Sequence, residues 1–152
     1  MKKIALLVII CTFSQISFAQ TREQTMEKRA REFHRQLTLS DKEQWKKFVE
    51  ENYAQSLIER PMKSKMSRQE NDDVSVKEDN IKGTVEDKVK MFERLHNDFG
   101  GSKVTSLKTA GDQVEMLVDG SGLNGTFRLT FGKEKPYLLE GLGIDVQGGP
   151  RN

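Results

Sequence analysis

Residues 84–101 read TVEDKVKMFERLHNDFGG, and their reading decides the fold. Val85, Val89, Phe92, Leu95 (or His96) and Phe99 recur at steps of three and four, which puts them on one face of an α-helix. Thr84 and Asp87 form a capping box: the hydroxyl takes an orphan amide, and the carboxylate reaches back to the Thr84 amide. Gly83 and Gly100-Gly101 punctuate the two ends, so the pattern predicts a helix over 84–98. Gly100 suits a left-handed cap, because it has no Cβ to clash. Lys88, Lys90, Glu93 and Arg94 fall off the apolar face and are expected in solvent.

Four strand-like runs follow this helix. Residues 103–110 end at Gly111-Asp112. Residues 113–119 alternate, with Val114, Met116 and Val118 opposed to Glu115 and Asp119. Gly120, Gly122 and Gly125 bracket a turn, and Ser121 between the first two is turn chemistry, without the spacing of a nucleophile elbow. Residues 126–131 alternate again, Phe127, Leu129 and Phe131 against Thr126, Arg128 and Thr130. In the last run, 137–146, Leu142, Ile144 and Val146 alternate but Leu139 is out of phase, which a bulge near Glu140-Gly141 repairs. Short connections and one-faced alternation predict an antiparallel meander with one covered face.

Upstream, two more helices are expected. Thr21 with Gln24 caps a helix carrying Met26, Ala30, Phe33 and Leu37, which ends near Thr38. Ser40 with Glu43 is a further capping box, ahead of Trp45, Phe48, Val49 and Tyr53. Residues 54–58 continue that helix or form a short third piece, and Pro61 stops the pattern. The fold class is therefore α+β: N-terminal helices packed on a curved four-stranded antiparallel sheet.

Residues 1–19 are not part of that fold. Lys2 and Lys3, the apolar run from Ile4 to Ile10 and Ser17-Phe18-Ala19 make a secretory signal peptide, cut after Ala19. The chain has 25 Lys+Arg and 23 Asp+Glu; losing Lys2 and Lys3 leaves 23 of each. A neutral mature chain gives no support for a nucleic-acid partner. Cys11, the one cysteine, lies in the signal, so disulfides do not staple the remaining 152 − 19 = 133 residues. These form one domain of periplasmic or secreted location, without a membrane span once the signal is removed. Residues 62–82 are a polar insert whose few apolar positions, Met62, Met66, Val74, Val76 and Ile81, follow neither period. The insert is expected to be a mobile loop, with a lid or partner-binding segment as the functional alternative. The tail, 147–152, is expected to fray.

Some of the wording resembles a known type of module. Glu32-Phe33 and Ser40-Asp41, residues 48–54 (FVEENYA), residues 95–101 (LHNDFGG) and residues 139–144 (LEGLGI) look similar to a cone-shaped α+β module of the nuclear-transport-factor-like or cystatin-like kind. Such a module often precedes the catalytic domain of secreted bacterial serine hydrolases and proteases. The resemblance implies a cone fold and an accessory role. It carries over no catalytic residue.

Candidate chemistry is sparse. His96 and Asp98 are two residues apart on one helix, so their side chains diverge. His34 sits beside Phe33 at the edge of an apolar face, where a satisfied, half-buried ring is expected. Two histidines and no mature cysteine leave zinc without its usual ligands, and Asp72, Asp73, Glu78 and Asp79 lack the glycine and oxygen spacing of a calcium loop. No metal and no cofactor is expected. Trp45, Phe48, Tyr53, Phe92 and Phe127, with His96, are the residues that would line a pocket for an apolar ligand, if they do not simply fill the core. The leading expectation is an exported, non-enzymatic module that binds a small apolar ligand or an envelope protein, or forms a homodimer through the sheet. The alternative is a small isomerase, dehydratase or hydrolase with Asp98, His96 or Glu115 as base and Tyr53 as donor.

Overall fold

The computed structural model describes residues 21–61, 82–120 and 123–147. The expected signal at 1–19 with Gln20, the expected insert at 62–82 apart from Lys82, Ser121-Gly122 and the tail beyond 147 lie outside the described residues. The order is α1 (Arg22–Thr38), α2 (Lys42–Asn52), α3 (Gln55–Ile58), α4 (Val85–Phe99), β1 (Lys103–Ala110), β2 (Gln113–Asp119), β3 (Asn124–Phe131) and β4 (Leu139–Gln147). The strands form one antiparallel sheet in sequence order, and the helices cover one face of it. The chain is an α+β fold.

The two outer helices start as their capping boxes require. Thr21 with Gln24 caps α1, and Thr84 with Asp87 caps α4. The cap of α2 differs from expectation: it is Asp41, not Ser40. Its carboxylate accepts from the Glu43 and Gln44 amides, and an anion at a helix N-terminus also gains from the helix dipole. Gly100 is not left-handed, with φ −59° and ψ −28°; helical geometry simply continues to it. Its lack of a Cβ matters for another reason: a Cβ there would lie 2.8 Å from His96 Nδ1.

Lys88 is the main error of phase. It is 4% exposed, on the same face as Phe92, Leu95 and Phe99, while Val85 and Val89 are only half buried. Its ammonium donates to the Arg60 carbonyl (2.7 Å), which fixes the start of α4 against the segment after α3. The aliphatic stem supplies the apolar contact and the head finds an acceptor, as long cationic side chains do.

The sheet keeps its inner face apolar by two bulges. Thr130 pairs with Gly141 but Phe131 with Leu139, so Glu140 is the extra residue and Leu139 returns to the core, as its phase in the sequence requires. Thr105 plays the same part in β1. The last strand starts at Leu139 rather than 137, because Tyr137 has φ 56°, outside the strand region. Gly125 belongs to β3 rather than to a turn. It lies opposite Val118, and the Phe99 ring fills the space where its side chain would be: a Cβ would meet that ring at 2.8 Å. Phe99 then stands edge-on to Phe127, with ring centroids 5.1 Å apart.

This contact generates a stability prediction. Gly125→Ala is expected to cost about 1–3 kcal/mol, the usual penalty of overpacking. Gly101→Ala, where nothing lies within 4 Å of an added Cβ, is expected to change stability by less than about 0.5 kcal/mol. Urea midpoints at unchanged slope make the comparison, and equal losses at the two sites would remove Phe99 as the cause.

Candidate functional site

Phe92 stands at the centre of the aromatic set. Its ring lies 5.3 Å from Phe33, 5.7 Å from Phe48, and 6.3 Å from both Trp45 and Tyr53. Phe127 joins from the sheet through Phe33, at 5.8 Å. Trp45, Phe48, Tyr53, Phe92 and Phe127 are all buried. Helical spacing on α1, α2 and α4 supplies three of the faces, and alternation on β3 supplies the fourth. A cavity touching this set, between Phe33, Phe48, Arg29, Asn52, Leu129 and Leu139, has about 10 Å³, room for roughly one water. These rings fill the core.

Polar atoms within the set are largely used up by the fold. The Trp45 indole N–H donates to the Gln36 carbonyl at 2.8 Å. His96 Nδ1 lies 2.7 Å from the Leu37 carbonyl, an acceptor, so Nδ1 carries the hydrogen and donates. The imidazole also packs on Trp45, centroids 5.6 Å apart. Both carbonyls lie in the last turn of α1: Gln36 already accepts the Leu39 amide at 3.2 Å and takes the indole as a second donor, while the imidazole of α4 satisfies Leu37. The exception is Tyr53: its hydroxyl is buried and has no hydrogen-bond partner among the described residues. Burial pushes the phenol well above its ordinary pKa, so the group stays neutral.

The residues weighed as base and donor are not brought together. Asp98 is exposed at the end of α4. Glu115 is on the outer face of the sheet, held by Arg128 at 3.4 Å. Tyr53 is in the core, and His96 is committed to Leu37. No group of three or more His, Cys, Asp or Glu among the described residues is placed to hold a metal ion.

His34 is half buried and satisfied, as expected, but its partner and a charge bridge on the outer face were not singled out from sequence. His34 Nε2 meets the buried Ser102 hydroxyl at 3.1 Å, linking α1 to the start of β1. The pair lacks an oriented carboxylate among the described residues, and the Ser102 amide is occupied by the Phe99 carbonyl. Burial pushes the imidazole below its ordinary pKa, with the contact to Ser102 acting the other way. On the outer face, Arg128 bridges Glu115 of β2 and Asp145 of β4. The polar phase of three alternating strands was the available signal, but register alone decides which charges meet.

Comparison of the chain with protein-family models, with curated proteins and with solved structures finds no match in any of the three. No helix among the described residues is long and apolar enough to cross a membrane.

Two measurements test this site. Tyr53→Phe removes a buried hydroxyl that has no partner among the described residues, and is expected to be neutral or to stabilise by about 1 kcal/mol; a loss would reveal a hydrogen bond to that oxygen. The second is a pH series. His34 has a folded pKa depressed below its unfolded value near 6.5, so the unfolded state binds protons first as pH falls. Stability is therefore complete above about pH 6.5 and declines below it. Chemical denaturation at pH 7.5 and 5.5 (ordinary buffers bracketing the imidazole range) is expected to show a drop that His34→Gln reduces.

Proposed function

We propose that this chain is an exported, non-enzymatic protein-interaction domain. The observation that carries the reading is the packing of the aromatic set: the side chains chemically suited to an apolar ligand are in contact with one another, beside a cavity of about 10 Å³. That volume accommodates a water and not a ligand of drug or lipid size. This favours a macromolecular partner over a small apolar one.

The distribution of titratable groups supports the non-enzymatic part. A general base needs a neighbour to orient it and an acceptor site within hydrogen-bond reach. Asp98 is exposed, Glu115 is ion-paired on the far face of the sheet, and His96 spends one ring nitrogen on a helix carbonyl. The residues instead supply surface: the outer face of the sheet carries Lys103, Lys108 and Arg128 with Glu115, Asp119 and Asp145, three charges of each sign. Export follows from the signal-like residues 1–19. The accessory role implied by the resemblance of residues 48–54 and 95–101 points the same way.

Native mass spectrometry on the chain recovered from an export host is the test. The expected spectrum contains protein masses alone, and the same preparation leaves generic ester, peptide and isomerase substrates unchanged. A retained small molecule released by Trp45→Ala, or turnover abolished by His96→Ala, would overturn the reading.

A further inference from the structure

The two edges of the sheet are unlike. β1 is guarded in the manner of natural edge strands: it carries Lys103 and Lys108, and the bulge at Thr105 breaks its regular pairing. Among the described residues, β4 is guarded only at its start. There, Tyr53 bridges to Leu139, the Ala54 amide donates to the Leu139 carbonyl, and Arg60 donates to the Glu140 carbonyl. From Gly141 to Gln147 no described residue pairs with the outer edge. That stretch has no lysine, no proline and no bulge, and its one charge, Asp145, is held by Arg128. Its apolar side chains become more exposed along the strand, from half-buried Leu142 and Ile144 to Val146 at 53%.

We propose that a second copy of this chain pairs antiparallel with residues 141–147, continuing the two sheets into one across a two-fold axis at Ile144. This rests on the interaction-domain reading and names the partner. The segment is self-complementary about that centre. Ile144 meets its symmetry mate, Leu142 meets Val146 and Gly143 meets Asp145, so an apolar row runs unbroken along the inner face. A two-fold contact of this kind is isologous and closes at the dimer.

The charges fit the same register. Arg128 lies opposite Gly143 in β3–β4 pairing. Gly143 has no side chain, and across the new seam it faces Asp145 of the second copy. The outer face then presents Arg128, a bare glycine and the second copy's Asp145 in one row, over two strand spacings of about 10 Å. An extended arginine and an aspartate span that gap. Two such rows, related by the axis, cross the seam with opposite charges. No like charges are placed opposite one another, because Asp145 always faces glycine.

Cysteine cross-linking in the full chain carrying Cys11→Ser tests both the pairing and its register. Ile144→Cys places two thiols across the axis and is expected to give a disulfide-linked dimer under mild oxidation. Val146→Cys puts its thiols four residues apart along the paired strands and is expected to stay uncross-linked. Sedimentation of the unmodified chain is expected to show a dimer, and Val146→Lys is expected to weaken it by roughly tenfold, since the lysine enters two symmetric pairs. Because Val146 is the exposed end of the strand, Val146→Lys is expected to keep the circular dichroism spectrum of the parent.

A parent chain that is monomeric up to submillimolar concentration would overturn the proposal, as would equal cross-linking by both cysteines or a dimer indifferent to Val146→Lys. A monomer removes self-pairing and leaves the interaction domain to find another partner. Only substrate turnover or a retained small molecule removes the interaction domain itself.

Discussion

The fold depends on Phe92. One ring in the middle of α4 touches Phe33 from α1, Trp45 and Phe48 from α2, and Tyr53 just beyond it. Each such pair contributes about 0.5–1.5 kcal/mol beyond the area it buries. More important is what the arrangement constrains. The described helices have few direct ties to one another besides side chains, and α3 is a single turn. Their relative placement is therefore set by how four rings surround a fifth, and a close-packed interior leaves little latitude in that geometry.

Around that hub, the buried polar groups act as hinges of the same packing. The last turn of α1 offers carbonyl lone pairs that its own backbone does not fill, Gln36 accepting only the Leu39 amide. The indole of Trp45 and the imidazole of His96 take the Gln36 and Leu37 carbonyls, so the termini of three helices meet with their hydrogen bonds made. Arg29 of α1 donates to the Asn52 side chain at the end of α2, and Asn52 donates in turn to the Phe48 carbonyl. A residue type that suggests binding in a sequence is here spent on closing a helix. The same chemistry that makes Trp and His good ligand contacts makes them good caps, and burial decides between the two uses.

What was legible in the sequence follows from range. Capping boxes at Thr21 and Thr84 depend on residues three apart, and both form. The bulge at Glu140 was legible because Leu139 and Leu142 must both face inward and differ in parity. Lys88 was not, because its burial depends on the Arg60 carbonyl, distant in sequence and brought close by the fold. Gly125 reads as punctuation until Phe99 is seen to occupy the place of its side chain. How the aromatic set packs lay beyond the sequence for a similar reason. Sequence gives the rings but not the voids between them, and a cavity is a property of how well side chains interdigitate. The Asp41 cap was within reach of local reasoning, since aspartate caps at least as well as serine.

Surface chemistry limits what kind of recognition this domain can perform. Without residues 1–19 the charges balance, and on the outer face cations and anions alternate across strands and hold one another, as Arg128 holds Glu115 and Asp145. Exposed pairs of this sort contribute little stability and produce no extended field of one sign. Long-range steering is therefore weak, and a partner cannot be selected by net charge. What distinguishes one part of this surface from another is the backbone: β1 is broken by a bulge and flanked by lysines, whereas β4 beyond its own bulge at Glu140 presents a regular edge with two glycines on its outer face. Backbone hydrogen bonds are the same for every sequence, so discrimination at such an edge must come from the alternate side chains that flank it. On β4 those are Leu142, Ile144 and Val146 on one face and glycine with Asp145 on the other. That pattern admits another strand of the same kind and rejects one that carries bulk opposite the glycines or charge opposite the aliphatic row.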